Sequence, residues 1–360
     1  MPEIAAAGVL PAAHRIKRKR AAQAPRSTSF TSKKCADLNS GIYQRKLGYL
    51  WEFFNSKELP VAVPPNTRYV KLFDESRYIT GQGIKNSKWR IIFNGLGSLN
   101  YCPTVEKTEK IKAALENNVL DRVRDYLSEI RKANADRALQ WAYLSETESS
   151  YAIEGETADM SKSERFVRLL QHAHDGAELT EEYLCNLQNQ VISNPYDMAS
   201  YRTEQNWLSN GGRGTLGVSY VPPSPECLDD LMTGFLDMAN KLPRQINPVI
   251  AASVTSFGFV FLHPFMDGNG LLSRFLFHQQ LCLSGQLQKG LLPASVDMKS
   301  SEERYLNALE EFSKPSRSLW SVTWIADHDY DFRFRVATSS TATGTPRLAQ
   351  NSGWKWQKRH

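Results

Sequence analysis

Residue types that together could handle a phosphate-bearing group lie close in the chain, between His263 and Arg274. The segment runs His263-Pro264-Phe265-Met266-Asp267-Gly268-Asn269-Gly270-Leu271, and Arg274 follows. An imidazole titrates near neutrality and can accept a hydroxyl proton. A carboxylate such as Asp267 is a hard oxygen ligand, suited to a mostly hydrated Mg²⁺ that bridges substrate phosphates. Gly268-Asn269-Gly270 removes side-chain bulk, so phosphate oxygens could approach backbone N–H groups closely. The forked guanidinium of Arg274 can reach the same space. A lone histidine after an apolar helix is more often a cap, and a lone Asp-Gly-Asn-Gly is a turn. The ordered combination favours chemistry, in a nucleotide-sized hollow on which His263 and Arg274 converge.

The flanking sequence explains how such a loop would be held. Asn247-Pro248 is a cap followed by a first-turn proline, and the predicted helix runs to about Leu262. It is apolar nearly all round, which places it in the middle of a bundle. The next helix starts within Gly268-Asn269-Gly270 and runs to Leu283, with Gly285 as its stop. The loop therefore lies at a helix N-terminus, which carries about half a positive charge. Phe265 is expected to point inward and anchor it.

Other helices are predicted from Thr180 to about Ser193, with threonine as N-cap, and from Glu226 to Asn240. Between them, glycines 211, 212, 214 and 217 interrupt the 207–221 segment ahead of a short Val218–Val221 strand, a hairpin or mobile loop ended by Pro222 and Pro223. A further helix spans Arg137 to Glu154 with Gly155 as its stop. Ser150 and Glu154 share one face of it. Glu154 would meet the negative end of the helix dipole, so it needs a cation or solvent. Residues 41–56 have helical spacing, and 68–95 hold short β-like runs at 69–73 and 89–93. From about 104 the pattern is mostly helical.

The chain has 360 residues, 41% of them hydrophobic, enough for two domains. It contains no apolar run long enough for a membrane span and starts with no secretory signal. Five scattered cysteines without a CxxC pair argue against a disulfide framework and a zinc site, and fit a reducing cytoplasm. Of the net charge of +6, residues 1–34 carry +7 and residues 336–360 carry +4, so the body is acidic at −5. The basic run 15–20 reads as a solvated tail, and neither nucleic acid nor membrane is an expected partner. After Arg335 the chain turns into low-complexity sequence, read as a flexible tail or, more sharply, as a shifted frame replacing a native ending.

The 263–274 segment resembles the Fic (Fido) family signature His-x-Phe-x-Asp/Glu-Gly-Asn-Gly-Arg-x-x-Arg. Every fixed position matches except the first arginine, here Leu271. The resemblance extends to Asn206, the 207–221 segment and Tyr220-Val221-Pro222-Pro223, similar to the family's flap, and to residues 291–312 with Pro293 and Tyr305. It implies an all-α, Fic-type helical bundle with a β-hairpin flap and an N-terminal extension containing short strands. The implied activity is transfer of AMP from ATP to a Ser, Thr or Tyr hydroxyl of a target protein. His263 would be the base and Asp267 the Mg²⁺ ligand. Gly268, Asn269 and Gly270 would form the anion hole, with Arg274 and Tyr305 also contacting the nucleotide. Leucine at 271 offers no donor, so weakened catalysis or a different donor nucleotide is expected.

Ser150-Tyr151-Ala152-Ile153-Glu154-Gly155 resembles the family's inhibitory pattern Ser/Thr-x-x-x-Glu-Gly/Asn. By that resemblance Glu154 pairs with Arg274 and blocks the γ-phosphate position. The 207–221 flap could hold an extended target segment, with Trp207, Leu208 and Val218 as candidate anchors. Residues 41–100 are the candidate segment for target choice or homo-oligomer formation. The expected organisation is a basic tail at 1–34, an N-terminal region at 35–103, a helical region with the inhibitory helix at 104–176, a catalytic domain at 177–335 and an irregular tail at 336–360. Two alternatives stand beside transfer: removal of AMP by the same site, and an impaired module that binds a protein partner.

Overall fold

Beyond Gly41 the chain turns at once into α1 (Ile42–Asn55), whose face packs on a small N-terminal sheet. A computed structural model describes residues 41–334 apart from 62, 130–131, 193–197, 210–211, 213, 288–290, 302, 306, 308–310, 312–316, 319 and 327–328. The basic run at 15–20 and the segment after Arg335 lie outside these residues. The strands expected in the extension are present: β1 (Val70–Lys71), β2 (Tyr78–Ile79), β3 (Ile84–Asn86), β4 (Ile91–Phe93) and β5 (Val105–Glu106). β4 is central, parallel to β1 and antiparallel to β3, while β2 pairs with β5. Trp89 fills the space between sheet and helix, and its indole N–H donates to Glu52 at 2.7 Å. Gly48 permits that contact, since a Cβ there would stand 2.2 Å from the indole ring.

From residue 109 the chain is mostly helical. α2 (Glu109–Glu116) is capped by Thr108, and α3 (Val119–Glu129) follows. α4 (Lys132–Ile153) begins earlier than the expected Arg137 and ends at Ile153, with Glu154 in the turn beyond. Gly155 closes that turn at φ 74°, a conformation glycine adopts without strain. Asp159 caps α5 (Met160–His172) and Thr180 caps α6 (Glu181–Val191). The glycine-broken segment is a hairpin, β6 (Leu208–Ser209) against β7 (Val218–Tyr220), with a 3-10 turn at Gly214–Gly217. Then come α7 (Pro225–Lys241), α8 (Pro248–Leu262), α9 (Asn269–Leu283) and α10 (Ala294–Ser300). A second hairpin, β8 (Trp320–Ala326) with β9 (Asp329–Phe334), ends the described chain and departs from the helical expectation there.

α8 lies at the centre of the bundle. The Asn247 side chain accepts from the N–H groups of Val249 and Ile250, and Pro248 occupies the first turn where no N–H is needed. Nearly every α8 residue is buried, and α9 packs along its length. Phe235, Phe259, Phe265 and Phe275 are fully enclosed in this core. Among the described residues no helix is long and apolar enough to cross a membrane.

Candidate active site

The loop between α8 and α9 is held by backbone groups answered from three directions. His263 ends α8 in the left-handed region at φ 50°, unusual for a residue with a Cβ, and its N–H still donates to the Phe259 carbonyl. Its carbonyl accepts from Arg202 Nε at 2.8 Å. The Arg202 N–H donates to the Pro264 carbonyl, and Asn206 Nδ2 donates to the Phe265 carbonyl at 2.9 Å. Tyr220 completes the clasp by donating its hydroxyl to the Phe261 carbonyl at 2.6 Å. Arg202 is buried, and desolvation lowers its pKa to about 10. Neither Arg202 nor the Tyr220 hydroxyl was identified from sequence as a brace, because both act across long chain separations.

Phe265 points inward as expected and is fully buried. Asn269 turns its amide back on the loop: Oδ1 accepts from the Phe265 N–H and Nδ2 donates to the Phe265 carbonyl. Asn269 thus shapes the turn with its side chain, leaving backbone N–H groups for an anion. Gly268 sits at φ 80° as the N-cap of α9, and a Cβ there would stand 2.7 Å from Ile192. Asp267 is exposed, and its Oδ1 accepts from the Gly268 N–H. Among the described residues no group of three His, Cys, Asp or Glu side chains could hold a metal. A lone exposed carboxylate suits an ion that keeps most of its waters and is carried by substrate phosphates.

His263 departs from one expectation. Burial lowers its pKa to about 4, against a smaller raising effect of its hydrogen bond to Val260, so it stays neutral at physiological pH rather than titrating there. Nδ1 lies 3.2 Å from the Val260 carbonyl and must donate to it, which leaves the Nε2 lone pair as acceptor.

Glu154 and Arg274 meet as expected. Arg274 is buried, and its Nη2 donates to Glu154 Oε1 at 2.7 Å and to the Ser150 carbonyl at 3.0 Å. Its Nε is buried without a partner. The Glu154 carboxylate also lies across the first turn of α9, 1.8 Å from where a Cβ on Gly270 would be. The carboxylate thus occupies the space directly over the first turn of α9, where the nucleotide-sized hollow was expected. Arg274 and Tyr305 line a cavity of about 20 Å³ together with Val260, Ser273 and Met298, room for a water at most; His263 is not among its walls.

Leu271 is 4% exposed and packs in the main core. Trp207 and Val218 are committed to packing as well. Trp207 lies 5.2 Å from the ring of Tyr330 and 5.4 Å from that of Phe332, and Val218 is buried with Trp320 and Tyr330. The second hairpin thus covers two of the three candidate target anchors, while Leu208 stays half-buried in β6.

Residues 178–281 match the family model described as Fic/DOC family, a stretch that holds the whole loop from His263 to Arg274 but not α4. Over this stretch the chain is similar to the Fic/DOC family. A protein adenylyltransferase Fic of Nematostella vectensis is 26% identical over 205 residues, covering 48% of this chain and 46% of its own length. The corresponding protein of Drosophila grimshawi is 27% identical over 276 residues, covering 68% of this chain and 52% of its own. The chain thus spans about half the length of these curated relatives. Among solved structures, Fic-1 from C. elegans is 17% identical, with a TM-score of 0.40 over 58% of this chain and 72% of that one.

Proposed function

We propose that this protein transfers AMP from ATP to a hydroxyl of a protein target, and that Glu154 restrains it. The observation that carries the reading is the position of the Glu154 carboxylate. It occupies a helix N-terminus flanked by a buried guanidinium, a place built for an anion, and it does so as a tethered anion. The similarity to proteins named adenylyltransferases supplies the nucleotide.

In the proposed reaction a Ser, Thr or Tyr oxygen of the target attacks the α-phosphorus of ATP. The bond to pyrophosphate breaks, and the hydroxyl proton passes to Nε2 of His263, whose other nitrogen is engaged by Val260. The backbone N–H groups of Asn269 and Gly270 stabilise charge on the transferred phosphoryl oxygens, the Gly268 N–H being engaged by Asp267. Arg274 holds the terminal phosphates once Glu154 has left. Asp267 would hold Mg²⁺, which would offset polyphosphate charge. Phosphoryl chemistry rests mostly on such positioning and electrostatics.

The test is Glu154→Gly assayed for self-attached adenylate by mass spectrometry and for Mg-ATP binding by calorimetry. Both should rise, and Mg-ATP should raise the melting temperature more in the variant than in the parent. Unchanged incorporation and affinity would remove the inhibitory role. Absence of any ATP binding in the variant would remove nucleotide transfer altogether. Leu271 bears on rate: its place in the core supports a packing role there, with one phosphate contact fewer. Leu271→Arg in the Glu154→Gly background tests this, and a rate equal to that of Glu154→Gly alone would show that the residue does not limit activity.

A further inference from the structure

α4 and α9 run past each other in an ordered register. Residues 146, 150 and 154 of the brake segment recur every four positions, as do 278, 274 and 270 on α9, so each set lines one helical face. The two rows meet in reverse order. Glu154 lies over Gly270, the Ser150 carbonyl accepts from Arg274, and Glu146 Oε1 lies 2.9 Å from His278 Nε2.

The far end of this ladder is the most enclosed. Glu146, Ser150 and Ser295 are wholly buried and His278 nearly so. Glu146 Oε2 accepts from the Ser295 N–H at 2.8 Å, and Oε1 accepts from the Ser295 hydroxyl at 2.6 Å. Ser150 donates its hydroxyl to Ser295 Oγ at 3.0 Å. The carboxylate makes the Nε2 of His278 a donor; its Nδ1 has no partner. Burial alone would raise the Glu146 carboxyl, but the His278 ring and the Ser295 donors outweigh it and hold it below the usual range.

Three helices meet at Glu146: α4 itself, α9 through His278 and α10 through Ser295. The buried side of α4 mixes Ala142, Tyr143 and Tyr151, which join the main core, with three polar residues. Glu146, Thr147 and Ser150 are fully enclosed, whereas Trp141 and Leu144 face solvent at 61% and 52% exposure. Apolar contacts tolerate small slides; hydrogen bonds to a buried charge do not, because their strength falls steeply with distance and angle. A helix docked this way has one favoured register.

We propose that Glu146, with His278 and Ser295, is the positioning cluster that sets the register of α4 and thereby delivers Glu154 to Gly270 and Arg274. The cluster lies two helical turns from the brake carboxylate. Loosening it frees Glu154 without touching the nucleotide site. The inference rests on the inhibitory reading of Glu154, but its structural half can be tested apart from it.

The experiment compares Glu146→Gln, Ser295→Ala, Glu154→Gly and the double variant Glu146→Gln/Glu154→Gly in the full chain. Amide exchange across 146–154 reports the register without reference to activity, and Glu146→Gln should lose protection there. Mg-ATP affinity and self-adenylation should rise by about tenfold in Glu146→Gln, the scale of a typical coupling between sites. They should rise less in Ser295→Ala. The double variant should match Glu154→Gly alone, since a released brake cannot be released again. Unchanged exchange protection in Glu146→Gln overturns the positioning role. So does a fall in ATP affinity in both backgrounds, the mark of plain structural damage. Lost protection with no gain in affinity, while Glu154→Gly does gain, overturns the link from cluster to brake. No gain in Glu154→Gly itself sinks the inhibitory reading instead. Should Glu146→Gln fail to fold, Ser295→Ala carries the same comparisons, because it removes one hydroxyl and leaves the buried carboxylate paired with His278.

Discussion

α9 treats two of its neighbours, α8 and α4, differently. Against α8 it presents mainly buried leucines and phenylalanines, with one hydrogen bond from Thr255 to Gln280. Against α4 it presents Arg274 and His278, answered by Glu154, Ser150 and Glu146. The first contact makes the bundle and has no reason to open. The second spends charge and directed hydrogen bonds on a helix whose apolar residues partly face solvent. Under the proposed function one helix would therefore serve as both scaffold and releasable seat, with the proposed catalytic loop at its N-terminus.

The sharpest way to break this contrast is to damage the apolar side. Phe265→Ala empties a fully buried site beneath the loop and should lower stability by about 3–5 kcal/mol in denaturant unfolding. ATP binding by the remaining folded fraction should suffer too, because the loop backbone between His263 and Asn269 is built around that ring. A loss under about 1 kcal/mol would mean that the loop is not anchored from below.

The polar side should respond in the opposite way, losing binding more than stability. Arg274→Ala in the Glu154→Gly background should weaken Mg-ATP binding by about 10–100-fold, as expected for a charge-assisted contact of about 1.5–3 kcal/mol. Calorimetry measures it. Equal affinities would place the terminal phosphates elsewhere and leave Arg274 as a partner for Glu154 alone.

Much of this was readable in the sequence, and the division follows physical range. Asn247-Pro248 and Thr180 announced their helices because capping is local, and α8 read as a central helix because its apolar residues leave no polar face. The meeting of Glu154 with Arg274 was reached only through family resemblance, since no local rule links residues so far apart in the chain. Glu146 and His278 were missed although each stands four positions from a residue already singled out, a spacing that marks a shared helical face. The second hairpin was missed for another reason. Trp320, Val322 and Trp324, with Tyr330 and Phe332, alternate at the period of a strand, but the helical pattern upstream carried the reading past them.

Acid sharpens the comparison further. The His263 pKa is lowered from its ordinary 6.5 to about 4, so the folded state resists protonating this ring. The unfolded chain takes up that proton first as pH falls, and the contribution of His263 to stability, present above about 6.5, is lost on the way down to about 4. The melting temperature should fall over that window, and His263→Gln should flatten part of the fall. The neutral base should also persist in mild acid, so AMP transfer at pH 5.5 should not be limited by His263 protonation. A rate that halves near pH 6.5 with His263 as the titrating group would contradict the burial of the ring.

The smallest expected effect lies where the flap meets the C-terminal hairpin. Tyr330 donates its hydroxyl to the Gly214 carbonyl at 3.2 Å while its ring packs against Trp207. Tyr330→Phe keeps the ring and removes the hydrogen bond, so global stability should change by only about 0.5–1.5 kcal/mol. The local consequence should exceed the global one. The 3-10 turn at Gly214–Gly217 would lose a tether, and limited proteolysis should cut the flap faster in the variant than in the parent. If the cleavage rate is unchanged, packing of Trp207 against Tyr330 and Phe332 holds the flap by itself. This contact would then belong with the apolar seam between α8 and α9 rather than with the polar, releasable one.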